Sequence, residues 1–139
     1  MKYLVLLFFS SLLLSSEIDK IESKIIMSMI DAVNTHKGFS IYTNSQKLKN
    51  ILPAQMVVFV DDCSGADIAI LEKSKIEKNC MDIPIITLEY DLLKKYPNSI
   101  GSFFWQKGRP NIVFIKSRLK NQNILLDSAF DEFIEENIW

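Results

Sequence analysis

Two apolar runs, Ile100 to Trp105 and Asn111 to Ile115, stand on either side of Lys107-Gly108, and this arrangement restricts the fold more than any other stretch. Gly108 readily adopts φ > 0, so the segment predicts a β-hairpin closed by a short turn. Pro110 has no N–H to give to a ladder. That places it at the start of the returning strand, on the side away from its partner, or at a bulge. Side chains alternate along a strand, so Phe103 and Trp105 share one face while Phe104 takes the other, and one of these sets faces a core. The turn gathers Phe104, Trp105, Lys107 and Arg109 at one tip, which makes them the candidate binding residues. Such a tip is either a binding edge or the ordinary amphipathic end of a hairpin.

The chain begins MKYLVLLFFSSLLLSSEID: one basic residue, an apolar run from Tyr3 to Leu14, then Ser15 and Ser16 before the first acid. This is the three-part pattern of a secretory signal peptide. The run is short for a bilayer span, which needs about 20 apolar residues. Cleavage is expected after Ser16, giving a leader at 1–16 and a domain at 17–139, with an uncleaved N-terminal anchor as the alternative. No cysteine lies near the boundary to carry a lipid. The reading is therefore an exported, periplasmic protein with no transmembrane segment after processing. A chain of 139 residues is enough for one domain and one core. Its formal charge is −1, and losing Lys2 with the leader makes the remainder more acidic. With no basic excess to hold a phosphate backbone, nucleic acid is not an expected partner.

After the leader, Ile18, Ile21, Ile25, Met29 and Val33 recur at helical spacing, widened by Ile26 and Ile30, and predict an amphipathic helix from Glu17 to His36. The only histidine, His36, falls in its last turn, where a cation suits the dipole. Phe39 to Thr43 reads as a first strand, and Ser45 as the cap of a short helix, Gln46 to Leu52, which Pro53 ends. Met56 to Val60 is continuously apolar and predicts a strand covered on both faces. Ala66 to Leu71 and Ile83 to Leu88 read as further strands, and Tyr90 to Tyr96 as one or two helical turns. Beyond the hairpin, Ser117 is expected to cap a turn from Arg118 to Gln122, and Asp127 to cap a last helix from Ser128 to Glu136 with Phe130, Phe133 and Ile134 on its apolar face. Strands interleaved with helices predict a single compact α/β domain, a mixed β-sheet with helices packed against it.

Cys63 and Cys80 are the only cysteines, and export would place them in an oxidising compartment. A strand leaves from Cys63 and the segment Ser74 to Asn79 can return to the same end, so a structural disulfide is preferred to two free thiols. Asp61, Asp62 and Asp67 surround Ser64-Gly65, but the spacing is not that of a Ca²⁺ loop, and a solvated loop is the better reading. The chain has no nucleophile elbow, no H-E-x-x-H and no glycine-rich phosphate loop. Glu72, Glu77 and Glu89 are scattered carboxylates without a motif. No metal, cofactor or catalytic residue is expected, and the chain is not read as an enzyme.

The order of these features resembles that of the YfiR-type periplasmic proteins. The likeness rests on a glycine-led strand, Gly101-Ser102-Phe103-Phe104, a polar turn, Lys107-Gly108-Arg109, a second strand, Ile112 to Ile115, and a helical piece ending in Ile124-Leu125-Leu126. The resemblance implies an exported, non-enzymatic regulatory or sensor protein that acts on an inner-membrane signalling partner, such as a diguanylate cyclase or a sensor kinase. Its contact surface would be the hairpin tip, since aromatic and arginine side chains are the usual anchors. The alternative is a small periplasmic solute-binding domain of a transport system, comparable to one lobe of a two-lobed binding protein.

Overall fold

The computed structural model describes residues 2–33, 39–72 and 78–138, with side chains placed for 16–33, 39–72 and 79–138. His36 lies outside the described residues, as does most of the polar run after Glu72. The first helix, α1 (Lys2–Val33), is followed by β1 (Ser40–Thr43), α2 (Gln46–Ile51), β2 (Val58–Phe59), β3 (Ile68–Leu71) and β4 (Ile85–Thr87). Then come α3 (Leu92–Lys95), the paired strands β5 (Ser99–Gln106) and β6 (Arg109–Ile115), α4 (Lys116–Asn121) and β7 (Ile134–Glu135). The seven strands form one mixed sheet in the order β2-β1-β3-β4-β5-β6-β7. β1 to β5 are mutually parallel, β6 runs antiparallel to β5, and β7 is parallel to β6. This is the α/β domain expected from the alternation of elements.

Period-2 side chains divide the core in two. Ile41, Ile68, Ile70, Ile86, Phe103 and Phe114 face Ile26, Met29 and Ile30 of α1, together with Leu48 and Leu119. On the opposite face Ala69, Leu71 and Ile85 meet Leu92, Tyr96 and both cysteines. Because β3 is buried on both sides, all four of its residues are apolar, as a central parallel strand requires. β2 departs from the expectation for Met56 to Val60. It is two residues long and lies at the sheet edge, with Val58 62% exposed, because β1 turns its other side to β3 and leaves β2 with one neighbour.

The buried stripe of α1 also differs from the apolar spacing that announced it. Ile26, Met29 and Ile30 are buried, whereas Ile18 and Ile21 lie on the exposed surface. At α2, Ser45 caps as expected, accepting from the Leu48 N–H at 3.1 Å. At α4 it is Ile115, not Ser117, that precedes the helix, with no side-chain cap. The end of α4 is closed by Asn123 at φ 55°. There the Asn123 N–H donates to the Lys120 carbonyl and the Ile124 N–H to the Leu119 carbonyl, the paired bonds of a Schellman stop.

The expected C-terminal helix is instead a 3-10 segment, Ser128–Phe133, running into β7. Asp127 caps it through the Ala129 N–H, and Phe130 packs edge-on against Phe114 at 5.7 Å. Ile134 leaves helical geometry because β6 offers an open edge at Phe114 and Ile115.

The disulfide joins Cys63 and Cys80, with Cα atoms 5.0 Å apart. Each cysteine sits in a 3-10 turn, one before β3 and one before β4. Parallel neighbours begin at the same end of a sheet, so the two turns meet. The aspartates nearby are structural: Asp62 accepts from the Ser64 N–H at 2.8 Å and from its hydroxyl, and Asp67 accepts from the Ser40 N–H and hydroxyl, each at 3.0 Å. Hydrogen bonds from Ser64 hold the Asp62 carboxyl below its usual value.

Candidate functional site

The hairpin turn follows from two residues. Gln106 pairs with Arg109, leaving Lys107 at φ 51° and Gly108 at φ 74°, a two-residue turn with both central residues left-handed. Gly108 adopts this conformation freely, while a lysine there costs roughly 1 kcal/mol. In such a turn Gln106 and Arg109 form the hydrogen-bonded pair, and the next pair, Trp105 with Pro110, is the non-hydrogen-bonded kind. The nitrogen of Pro110 therefore points away from β5, and the missing N–H breaks no bond.

β4 ends at Thr87, opposite Ser102, so the four residues Phe103 to Gln106 continue beyond it. At about 3.3 Å per residue that is roughly 13 Å of overhang. The overhang lies on the carboxyl side of the parallel strands, the side on which open α/β sheets place their ligands. Lower down, Gly101 lets β5 and β6 approach closely, since a Cβ there would stand 2.5 Å from the Val113 carbonyl oxygen.

The pairing register places the four candidate residues on two faces. Phe104 pairs with Asn111 and Gln106 with Arg109, so these four side chains share one face. Trp105 and its partner Pro110 occupy the other face with Phe103. Phe103 is 1% exposed and belongs to the core under α1, and the Trp105 ring meets it edge-on at 5.8 Å while remaining 37% exposed. Phe104 packs with Leu93, Val113 and Ile115, and its ring meets Tyr90 at 5.4 Å. The sheet is thus covered on both faces as far as Phe104. Trp105 lies at the edge of the cover, and Lys107 and Arg109 are exposed at the tip.

Two depressions adjoin at the end of the hairpin, centred on the Phe104 face, with Trp105 on the wall of one. A notch of about 220 Å³ is lined by Tyr90, Phe104, Trp105 and Gln106. A cleft of about 390 Å³ is lined by Gln106, Lys107, Arg109 and Asn111. Tyr90, Gln106 and Asn111 complete this surface and were not expected from the sequence. Counting outward from a two-residue turn would have found Gln106 and Asn111. Tyr90 arrives from the loop after β4, and nothing local marks it. A larger groove of about 490 Å³ lies elsewhere, between α1 and the segment after α2. It carries both signs of charge, Asp19 and Asp31 beside Lys20 and Lys24, and so has no electrostatic preference for a ligand.

A second location follows from strand order. β1 sends the chain to β2 on one side and has β3 on the other, which makes the β1/β3 boundary the topological switch point. Here the Glu72 N–H donates to Asn44 Oδ1 at 2.8 Å, while Asn44 Nδ2 is buried without a hydrogen-bond partner among the described residues. Among the described residues no three His, Cys, Asp or Glu side chains are grouped to hold a metal ion. Among them, too, no helix is long and apolar enough to cross a membrane. No protein-family model matches the chain, and no curated protein is significantly similar to it.

Proposed function

We propose that the chain is an exported, non-enzymatic regulator of the YfiR type, which docks through its β5–β6 hairpin on an inner-membrane signalling protein such as a diguanylate cyclase or a sensor kinase. The observation that carries the reading is the overhang of the hairpin, with Trp105, Lys107 and Arg109 exposed at its end and Phe104 anchoring it to the domain. A projecting tip bearing aromatic and arginine side chains is suited to protein recognition. The buried disulfide supports export, because such bonds persist in oxidising compartments. The apolar run from Tyr3 to Leu14 supports a cleaved leader ending at Ser16. The reading assigns no catalytic residue and no cofactor.

A photo-crosslinking residue at Trp105 or at Lys107, in the exporting cell, tests this directly. The expected product joins the chain to a membrane signalling protein, at a yield well above that from Lys120 on α4. Equal yields from all three positions, or no membrane protein among the products, would overturn it. The mass of the periplasmic protein should place its N-terminus at or near Glu17.

The second reading, a periplasmic solute-binding domain, is favoured by the orphaned Asn44 Nδ2 at the switch point. It requires a solute that raises the melting temperature of the wild-type chain and loses this effect in Asn44→Ala.

A further inference from the structure

We infer that one face of the hairpin, the one carrying Phe104, Gln106, Arg109 and Asn111, is the docking face, and that its partner is an extended acidic peptide segment bearing an aromatic side chain. The inference rests on the reading of the hairpin as a docking surface and specifies which side is used and by what chemistry.

Size decides the first part. A notch of about 220 Å³ falls below the roughly 300 to 1,000 Å³ of small-molecule pockets. It suits a single side chain better than a whole ligand. Its walls include Tyr90 and Phe104, whose rings already meet at 64°, and a third ring can join them edge-to-face.

Charge decides the second part. The adjoining cleft contains Lys107 and Arg109 and no carboxylate. Among the described residues the ion pairs involve Lys47 and Lys116, and neither tip cation has an acidic partner. Two unpaired cations at the apex of a chain with net charge −1 mark a local reversal of sign, which selects an acidic partner. The notch and the cleft share Gln106, so an aromatic residue and a neighbouring acid on one extended segment reach both.

Backbone geometry decides the third part. The outer edge of β6 is unpaired before Phe114, but Pro110 removes a donor from it, which disfavours strand addition there. The Trp105 ring is engaged with Phe103 on the other face, and the residue contributes to the wall of the notch.

The probe is a short synthetic peptide with one phenylalanine flanked by glutamates, titrated into the full chain and followed by amide shifts in NMR. Controls replace the glutamates by lysines, or the phenylalanine by alanine. Shifts are expected to centre on Tyr90, Phe104, Gln106 and Arg109. Arg109→Glu should weaken binding about tenfold or more, at unchanged melting temperature for the exposed Arg109, and the same charge reversal at the exposed Lys120 of α4 less than about twofold. Absence of binding, or equal binding of the lysine peptide, overturns the inference.

The crosslinked membrane partner separates this inference from the broader reading. If Arg109→Glu leaves that crosslink from Lys107 intact while Trp105→Ala abolishes it, the acidic partner assigned to the cleft fails while hairpin docking stands. If neither variant affects it, both fail.

Discussion

Arg118 and Ser99 meet twice: Nη1 of the arginine donates to the Ser99 carbonyl at 3.0 Å and to its Oγ at 2.7 Å. The same nitrogen reaches the Leu93 carbonyl at 2.7 Å and the Tyr96 carbonyl at 3.0 Å. One guanidinium from α4 thus gathers the end of α3 and the start of β5, the corner from which the hairpin departs. Burial lowers its pKa from the ordinary value, but an arginine remains charged throughout the working pH range.

Arg118→Ala should therefore destabilise the fold by about 2 to 3 kcal/mol, since it removes a charged donor from the Leu93, Tyr96 and Ser99 carbonyls and leaves the first two with Ser99 alone as side-chain donor. Arg118→Lys should recover only part of this, because an ammonium lacks the planar fork. Urea melts of the three proteins give the comparison. An Arg118→Ala variant as stable as wild type would show that water replaces the clamp.

The bond between Cys63 and Cys80 closes a loop of 17 residues, for which the chain-entropy model gives about 3 kcal/mol. The double variant Cys63→Ala, Cys80→Ala is expected to lose that much in urea unfolding. Thiol labelling of the denatured exported protein without reductant should find no free sulfur. Asn98 extends the effect to β5, since its Nδ2 donates to the Cys80 and Ile83 carbonyls at 2.9 and 2.7 Å.

Lys47 ties α2 to α1 through Glu22 at 2.6 Å and Asp19 at 3.4 Å. The hydrogen bond to Glu22, followed by the charges of both acids, raises the lysine pKa against an opposing effect of burial. A raised folded-state value means that the stabilisation is complete below the unfolded pKa near 10.5 and is lost as pH rises through the folded one. Lys47→Met should be less stable than wild type by about 1 kcal/mol or less near neutrality, because half of the lysine is in water. The gap should close only as pH rises through the folded value, which lies above 10.5. A gap that persists there would assign the effect to packing of the lysine stem.

Much of the fold was legible where the signal was local. The turn at Lys107-Gly108 and the Ser45 cap depend on neighbouring residues, and both formed, whereas the run Met56 to Val60 gave only two strand residues and Ser117 did not cap α4. The disulfide was legible because parallel strands share an end. Features set by distant partners were not. Val58 is exposed because of where β2 lies in the sheet, which its apolar run does not encode. Phe130 and Phe133 are spaced for a 3-10 turn as well as for an α-helix, and only the open edge of β6 decides that Ile134 becomes a strand residue. At the tip, Phe104, Trp105, Lys107 and Arg109 were identified, but their division between two faces needed the register, and Tyr90 needed the tertiary fold.

That division makes the three adjacent aromatics separable by experiment. Phe103 is buried in the core beneath α1, so Phe103→Ala should cost roughly 3 to 5 kcal/mol. Phe104 is partly buried against Leu93, Val113 and Tyr90, and its truncation should cost about 2 kcal/mol. Trp105 is 37% exposed, so most of its side chain lies against the protein, including the edge contact with Phe103, and its truncation should also cost about 2 kcal/mol. Thermal melts should place Phe103→Ala well below the other two variants. A Trp105→Ala protein as damaged as Phe103→Ala would mean that the tryptophan is a core residue, and the hairpin end would then be structural. The predicted ranking makes Phe103 the residue that anchors the hairpin to the core and leaves the exposed part of Trp105, on the wall of the notch, open to a partner.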